Sequence, residues 1–301
     1  MSESTSQLQE ETNIQTPSLA AQHWTQQDIM ASTSHLKAMN WPFPNPRFIF
    51  FTDFDGTITL KDSNDYMTDN IGFGTELRKQ GNRDVLDGKK TFRDSFQEMI
   101  DSVNKPFPEC IDYLVENIKL DPYFNEYFQW ANSMGIPTVV VSSGMEPIIR
   151  AILKNLVGKD HVMMDIVSNE VMALPGKSID QEGGWTIKYH DDSGFGHDKS
   201  LTIRPYAQLP ADQRPTMFYA GDGVSDLSAA QETDLLFAKK GHDLIRYCVK
   251  QDVPFTVFED WSTILEKVKL IVEGKTTVHE AARLGYEEYQ KGNVGLNGNA
   301  G

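Results

Sequence analysis

Cysteine is nearly missing from this chain of 301 residues. Cys110 and Cys248 are its only two. With no spaced cysteine pair, a disulfide scaffold and a cysteine-built metal or redox centre are both excluded, and the two thiols read as buried filler. Long apolar runs are absent as well: none approaches the roughly 20 residues a helix needs to span a bilayer. Positive charge is scarce, with 28 Lys and Arg against 43 Asp and Glu, a formal net charge of −15. Nucleic acid and anionic membranes would be repelled before contact, so neither is an expected partner. The first Lys or Arg is Lys37, and no basic start leads into an apolar stretch. Neither a secretory signal nor an Arg-rich transit peptide is legible. The expectation is a cytoplasmic protein, and nothing in the sequence speaks against an additional nuclear pool. Oligomeric state leaves no trace in the sequence.

The same negative charge would repel a phosphorylated ligand. A phosphate site in this chain therefore has to be built locally, from a cation, a lysine and backbone N–H groups.

Residues 1–44 are rich in Ser, Thr and Gln and end in "WPFPNP". That composition buries too little apolar surface to offset chain entropy, so a disordered extension is expected, with a short helix possible over Ser18–Leu36. Beyond it, the apolar runs "RFIFF", "PTVVVS", "DIVSNEV", "TMFYAG", "DLLFAK" and "PFTVF" alternate with helical stretches. Uninterrupted apolar strands suit a sheet covered on both faces. The expected class is α/β, a Rossmann-like doubly wound parallel sheet whose ligands sit at the C-terminal strand edge. Residues 45–61 and 119–273 would form that core. Residues 62–118 hold no convincing strand, only segments such as "TFRDSFQEMIDSV", and read as a helical insertion. A smaller excursion, "MALPGKSIDQEGGWTIKYH", reads as a hairpin. Residues 274–301 would be a helix, with Thr277 and Glu280 at capping-box spacing, and a flexible tail.

Four segments at predicted strand ends carry chemistry. "FTDFDGTIT" places Asp53 and Asp55 two residues apart after an apolar strand. Asp-Gly is also an ordinary turn, so the pair alone decides nothing. "VVVSSGMEPIIR" puts Ser142, Ser143 and Gly144 before a helix opened by Pro147, a pattern that suits an anion cradle. "FYAGDGVSDL" supplies Asp222 and Asp226, which suit a hard divalent cation, although Asp226 could equally cap the next helix. "FGHDKSLTI" offers Lys199, which in isolation would be a solvated surface charge.

Taken together, Asp53, Asp55, Ser142, Lys199, Asp222 and Asp226 occur in the order of the motifs of the haloacid dehalogenase superfamily, which the chain resembles from about Arg47 to Glu273. The resemblance implies that Asp53 is a nucleophile forming an aspartyl-phosphate, that Asp55 is the general acid, and that Lys199 compensates charge. It implies phosphate binding by Ser142, Ser143 and Gly144, with Thr57 shaping the loop. It also implies a Mg²⁺ site of Asp53, Asp55 and Asp222 with Asp226 orienting the group. The helical insertion then resembles the cap of the phosphoserine phosphatase-like group. Those enzymes carry a cap arginine where "TFRDSFQEM" places Met99, which argues against an amino-acid phosphate; Arg93 would replace it only if the helix were rotated. Asp62, Asn64 and Met99 are the candidate specificity residues, with Asp62 and Asn64 either binding hydroxyls or capping a helix. "FTDFDGTITLKDSNDY", "FGHDKS" and "GDGVSDLSAA" look like a fungal group of these phosphatases acting on sugar-alcohol phosphates. That makes a small phosphorylated metabolite the expected partner. The alternatives are another small phosphomonoester, including a methylthio-sugar phosphate or a phosphoserine-like ester, and an inactive binding protein of the same fold.

Overall fold

The computed structural model describes residues 45–158, 164–242 and 244–292. The N-terminal extension, the possible helix within it and the tail after residue 292 lie outside the described residues. Seven strands form one sheet in the order β4-β3-β2-β1-β5-β6-β7. They are β1 (Phe48–Thr52), β2 (Thr138–Met145), β3 (Asp165–Ala173), β4 (Trp185–Lys188), β5 (Thr216–Gly221), β6 (Leu235–Lys239) and β7 (Phe255–Phe258). Every neighbouring pair is parallel except β3 and β4.

The six apolar runs are the six parallel strands. The expected hairpin is present, but its first arm is the continuation of β3, so β4 becomes the antiparallel edge of the main sheet rather than a separate excursion. Its tight turn depends on Gly184, where a Cβ would lie 2.0 Å from the Ser178 carbonyl oxygen.

Side-chain alternation along β1 explains the layers. Phe50 packs on Tyr127 of α5 (Phe124–Ser133) and on Trp261 of α10 (Trp261–Val272). Its neighbour Phe51 turns to the other face and meets Tyr206 of α7 (Lys199–Ala207) edge-on. Both rings are fully buried.

Between β1 and β2 the chain builds α1 (Ser63–Ile71), α2 (Thr75–Leu86), α3 (Phe92–Asp101) and α4 (Phe107–Asn117). The starts are encoded locally: Asp62 caps α1 by accepting from Asn64 N and Asp65 N, and Thr91 caps α3 by accepting from Asp94 N. The chain leaves and re-enters the core side by side. Thr59 and Leu120 form an antiparallel bridge, Leu60 N donates to Lys119 O (2.9 Å) and Asp121 N donates to Ile58 O (2.8 Å).

After β2 comes α6 (Glu146–Val157), and short helices α8 (Leu227–Gln231) and α9 (Leu244–Gln251) follow β5 and β6. The last described helix, α11 (Val278–Gln290), lies directly on β7: a Cβ at Gly285 would approach the Phe255 carbonyl oxygen to 2.3 Å. Its capping box is half formed. Thr277 Oγ1 accepts from Glu280 N, but the Glu280 carboxylate pairs with Arg283 instead of reaching back. Among the described residues, no helix is long and apolar enough to cross a membrane.

Candidate active site

Parallel strands that share register also share an edge, and this places the site. Thr52 stands opposite Val140 on one side and Ala220 on the other. The residues just beyond, Asp53, Ser142 and Asp222, therefore emerge together at the C-terminal edge of the three central strands. Asp53 N still donates to Ala220 O (2.8 Å), so the nucleophile candidate is held by the ladder itself.

The chain then turns sharply. Ile58 N and Thr59 N both donate to Phe54 O, and Gly56 adopts φ +74° with its carbonyl accepting from Lys239 Nζ at 2.5 Å. Trp261 Nε1 donates to Thr57 O at 3.0 Å. Glycine is required at position 56 by conformation and by space, since a Cβ would lie 2.5 Å from Asp222 Oδ2.

Lys199, the first residue of α7, is only 1% exposed and donates to Asp53 Oδ1 (2.8 Å) and Asp226 Oδ1 (2.7 Å). Asp226 is saturated. Its Oδ1 also accepts from Tyr219 OH (2.7 Å), and its Oδ2 accepts from Asp222 N and Gly223 N (both 3.0 Å). Asp222 is more open, with Thr57 Oγ1 at 3.5 Å from Oδ1 and His242 Nδ1 at 3.2 Å from Oδ2.

Asp55 faces the helical insertion. The Ser63 N–H at the start of α1 donates to Oδ1 (2.7 Å), and Asn64 Nδ2 donates to Oδ2 (2.9 Å). Ser142 Oγ accepts from Gly144 N (3.0 Å), and a Cβ on Gly144 would stand 3.0 Å from Asp55 Oδ2. Two buried atoms here lack hydrogen-bond partners, Asn64 Oδ1 and Ser143 Oγ. The segment is fixed from behind by Asn169 Nδ2 on Ser143 O (2.7 Å) and His197 Nδ1 on Ser142 O (2.8 Å).

Burial raises the Asp53 carboxyl well above its ordinary value, with Lys199 opposing and Asp226 and Asp222 adding to the rise. Burial, reinforced by Asp62, lifts Asp55 to about 7 against the pull of the Ser63 hydrogen bonds. Burial also works against the Lys199 ammonium, but Asp226 and Asp53 outweigh it and hold the lysine charged. One oxygen each of Asp53, Asp222 and Asp226 lie within 4.8 Å of one another. Three carboxylates around one ammonium leave two negative charges in a buried place. That donor set fits a hard divalent cation with oxygen ligands. Because both Asp226 oxygens are already engaged, Asp53 and Asp222 are the side chains with capacity left for it.

Asp53, Asp55, Thr57, Ser142, Gly144, Lys199, Asp222, Asp226 and Asn64 thus form one connected group. Asp62 is an α1 cap. Met99 is 5% exposed and belongs to the buried apolar cluster that also holds Phe96, Ile100, Met67 and Phe54. Arg93 is engaged by the carbonyls of Asp191 and Ser193. Sequence reasoning missed Lys239, His242 and Tyr219. Lys239 ends β6, so applying the strand-end rule to "DLLFAK" would have found it.

Residues 50–231 match the family model described as haloacid dehalogenase-like hydrolase. Polyol phosphate phosphatase PYP1 of Saccharomyces cerevisiae is 51% identical over 239 residues, 77% of this chain and 97% of that protein. Pdp3-interacting factor 1 of Schizosaccharomyces pombe is 53% identical over 215 residues, 71% of this chain and 91% of that one. Among solved structures, a phospho-aspartyl intermediate analogue of phosphoserine phosphatase superposes with a TM-score of 0.52 at 18% identity, covering 74% of this chain and 99% of that one. Sheet order, a motif set gathered at one edge and relatives matched over nearly their whole length agree: the chain belongs to the haloacid dehalogenase-like hydrolases.

Proposed function

We propose that this protein is a Mg²⁺-dependent phosphatase that hydrolyses the phosphate monoesters of small polyols. The observation that carries the chemistry is Asp53, held at the end of the central strand by Lys199 with Asp222 beside it. The substrate class rests on the likeness to the yeast polyol phosphate phosphatase.

In this reading an Asp53 oxygen attacks phosphorus, the P–O ester bond breaks, and the proton of Asp55 passes to the departing alkoxide. A water then attacks the aspartyl-phosphate, Asp55 takes its proton, and inorganic phosphate leaves with Asp53 regenerated. An Asp55 carboxyl lifted to about 7 suits a group that must give and recover a proton near neutrality. Lys199, Ser142 and the N–H groups of the 142–144 segment hold the phosphoryl oxygens. Asp53, Asp222 and the Asp55 carbonyl would hold Mg²⁺, with Asp226 keeping Asp222 and Lys199 in place. When bound there, the cation would offset the repulsion between phosphoryl group and carboxylate, on the order of 4 kcal/mol per charge pair at 4 Å and an effective dielectric near 20. Helices α1–α4 are read as the cap, which would make Asn64 the residue linking substrate and acid.

Phosphate release with Mg²⁺, across ribitol, sorbitol and erythritol phosphates, sugar phosphates, a methylthio-sugar phosphate and phosphoserine, tests the proposal. Preference for linear polyol phosphates, abolished by Asp53→Asn without loss of the folded state, is the expected result. Turnover confined to other esters would overturn the substrate class. Retained turnover in the Asp53→Asn variant would remove Asp53 as nucleophile.

A further inference from the structure

Arg93 has no part in the mechanism above, yet few residues in the insertion are held from so many sides. Its Nη1 donates to Asp191 O at 2.7 Å and, more loosely, to Ser193 O at 3.5 Å. Its guanidinium carbon lies 4.3 Å from the centre of the Tyr189 ring, and Tyr189 OH donates back to Arg93 O (2.9 Å). Its own N–H donates to Gly194 O (2.8 Å). Backbone donor, backbone acceptor and side chain of one residue at the start of α3 are thus all engaged by residues 189–194 of the core.

Those residues lead directly to Lys199. The Asp191 carboxylate accepts from Ser193 N (2.8 Å) and from Asp198 N (2.7 Å), and Asp191 N donates to Gly196 O (3.0 Å). Gly196, at φ +71°, folds the chain against Tyr189, where a Cβ would come within 2.1 Å of the ring. Asp198 then caps α7 by accepting from Ser200 N (3.0 Å). Between Arg93 and the lysine there are only two hydrogen-bonded steps, Arg93 to Asp191 and Asp191 to Asp198, the residue before Lys199.

We propose that Arg93 is a positioning residue for Lys199: through it the helical insertion grips residues 189–194 and sets where the lysine ammonium meets Asp53 and Asp226. The activity arm of its test rests on the phosphatase reading.

The variants are Arg93→Met, which keeps an unbranched stem near Tyr189 but removes every guanidinium donor, Arg93→Lys and Tyr189→Phe, all in the full chain. Expected for Arg93→Met is a kcat about tenfold lower with KM within about twofold, a thermal midpoint within a few degrees, and partial recovery in Arg93→Lys. In a Lys199→Arg background the same Arg93→Met change should cost little more, because residues acting as one unit are not additive. In the metal-free chain, the amides of residues 195–199 should exchange faster in Arg93→Met than in the parent. An unchanged kcat, a rise in KM alone or losses that multiply in the double variant would overturn the proposal. If the parent chain releases phosphate from no ester, the phosphatase reading fails by itself. The exchange measurement then decides alone, and unchanged protection at residues 195–199 overturns the positioning role.

Discussion

At the scale of single residues, the chemistry turns on which oxygens remain free. Asp55 receives hydrogen bonds on both oxygens, yet burial keeps its proton affinity near neutrality. If it protonates the leaving group, Asp55→Asn should lower kcat/KM, which reports the first transfer and not the later hydrolysis of the shared aspartyl-phosphate, by about 10²–10⁴ for a polyol phosphate and much less for p-nitrophenyl phosphate, whose leaving group needs no proton. Equal losses on both would contradict that role. His197 offers a test by pH. Burial pushes its imidazole down from 6.5 to about 4. Between those values the unfolded chain binds a proton that the folded chain refuses, so stability falls with falling pH, by up to about 1.4 kcal/mol per unit, and levels off below about 4. His197→Asn, which can still donate to Ser142 O, should show a shallower decline between pH 6.5 and 4 in urea unfolding. The buried carboxyls act in the opposite direction in both proteins and cancel in the comparison. The strand-end acids were legible because an apolar run followed by Asp-x-Asp-Gly has few other meanings once the partner motifs recur in order. The saturation of Asp226 was not, since its donors come from residues brought together only by the folded chain.

At the scale of elements, uninterrupted apolar strands are easy to read because both faces of the sheet are covered. Joining the hairpin to the sheet as its β4 edge was not legible, since strand pairing depends on register and not on composition. The insertion was legible as helical, and α3 shows the limit of matching positions between chains. Met99 aligns with a cap arginine of another enzyme group, but here the α3 face carrying Phe96, Met99 and Ile100 is buried. Met99→Arg should therefore fail to confer phosphoserine hydrolysis, and should lower stability by about 3 kcal/mol or more because an unpaired charge enters the core. Thermal melting together with a phosphoserine assay checks both halves. A stable variant that gained phosphoserine turnover would place Met99 at the substrate after all.

At the scale of the whole molecule, a net charge of −15 opposes the approach of any phosphate dianion, and the carboxylate cluster adds to that opposition unless a cation is bound there. Raising ionic strength at saturating Mg²⁺ should thus lower KM while leaving kcat unchanged, as screening weakens the long-range repulsion. A KM that rises with salt would show that the field at the entrance is positive. EDTA should abolish turnover and Mg²⁺ restore it; indifference to chelation would contradict the cation assignment. The overall plan was legible from the order of motifs, whereas its joints were not. One such joint is the paired crossing at Thr59 and Leu120, where two adjacent backbone segments form the covalent attachment of α1–α4 to the sheet. With its ends already held together, that stretch can be exchanged or remodelled at little closure entropy. In the proposed function, where α1–α4 are the cap, the stretch that would meet the alcohol part of the ester could thus change while the strand-end acids that would act on phosphorus stay in place.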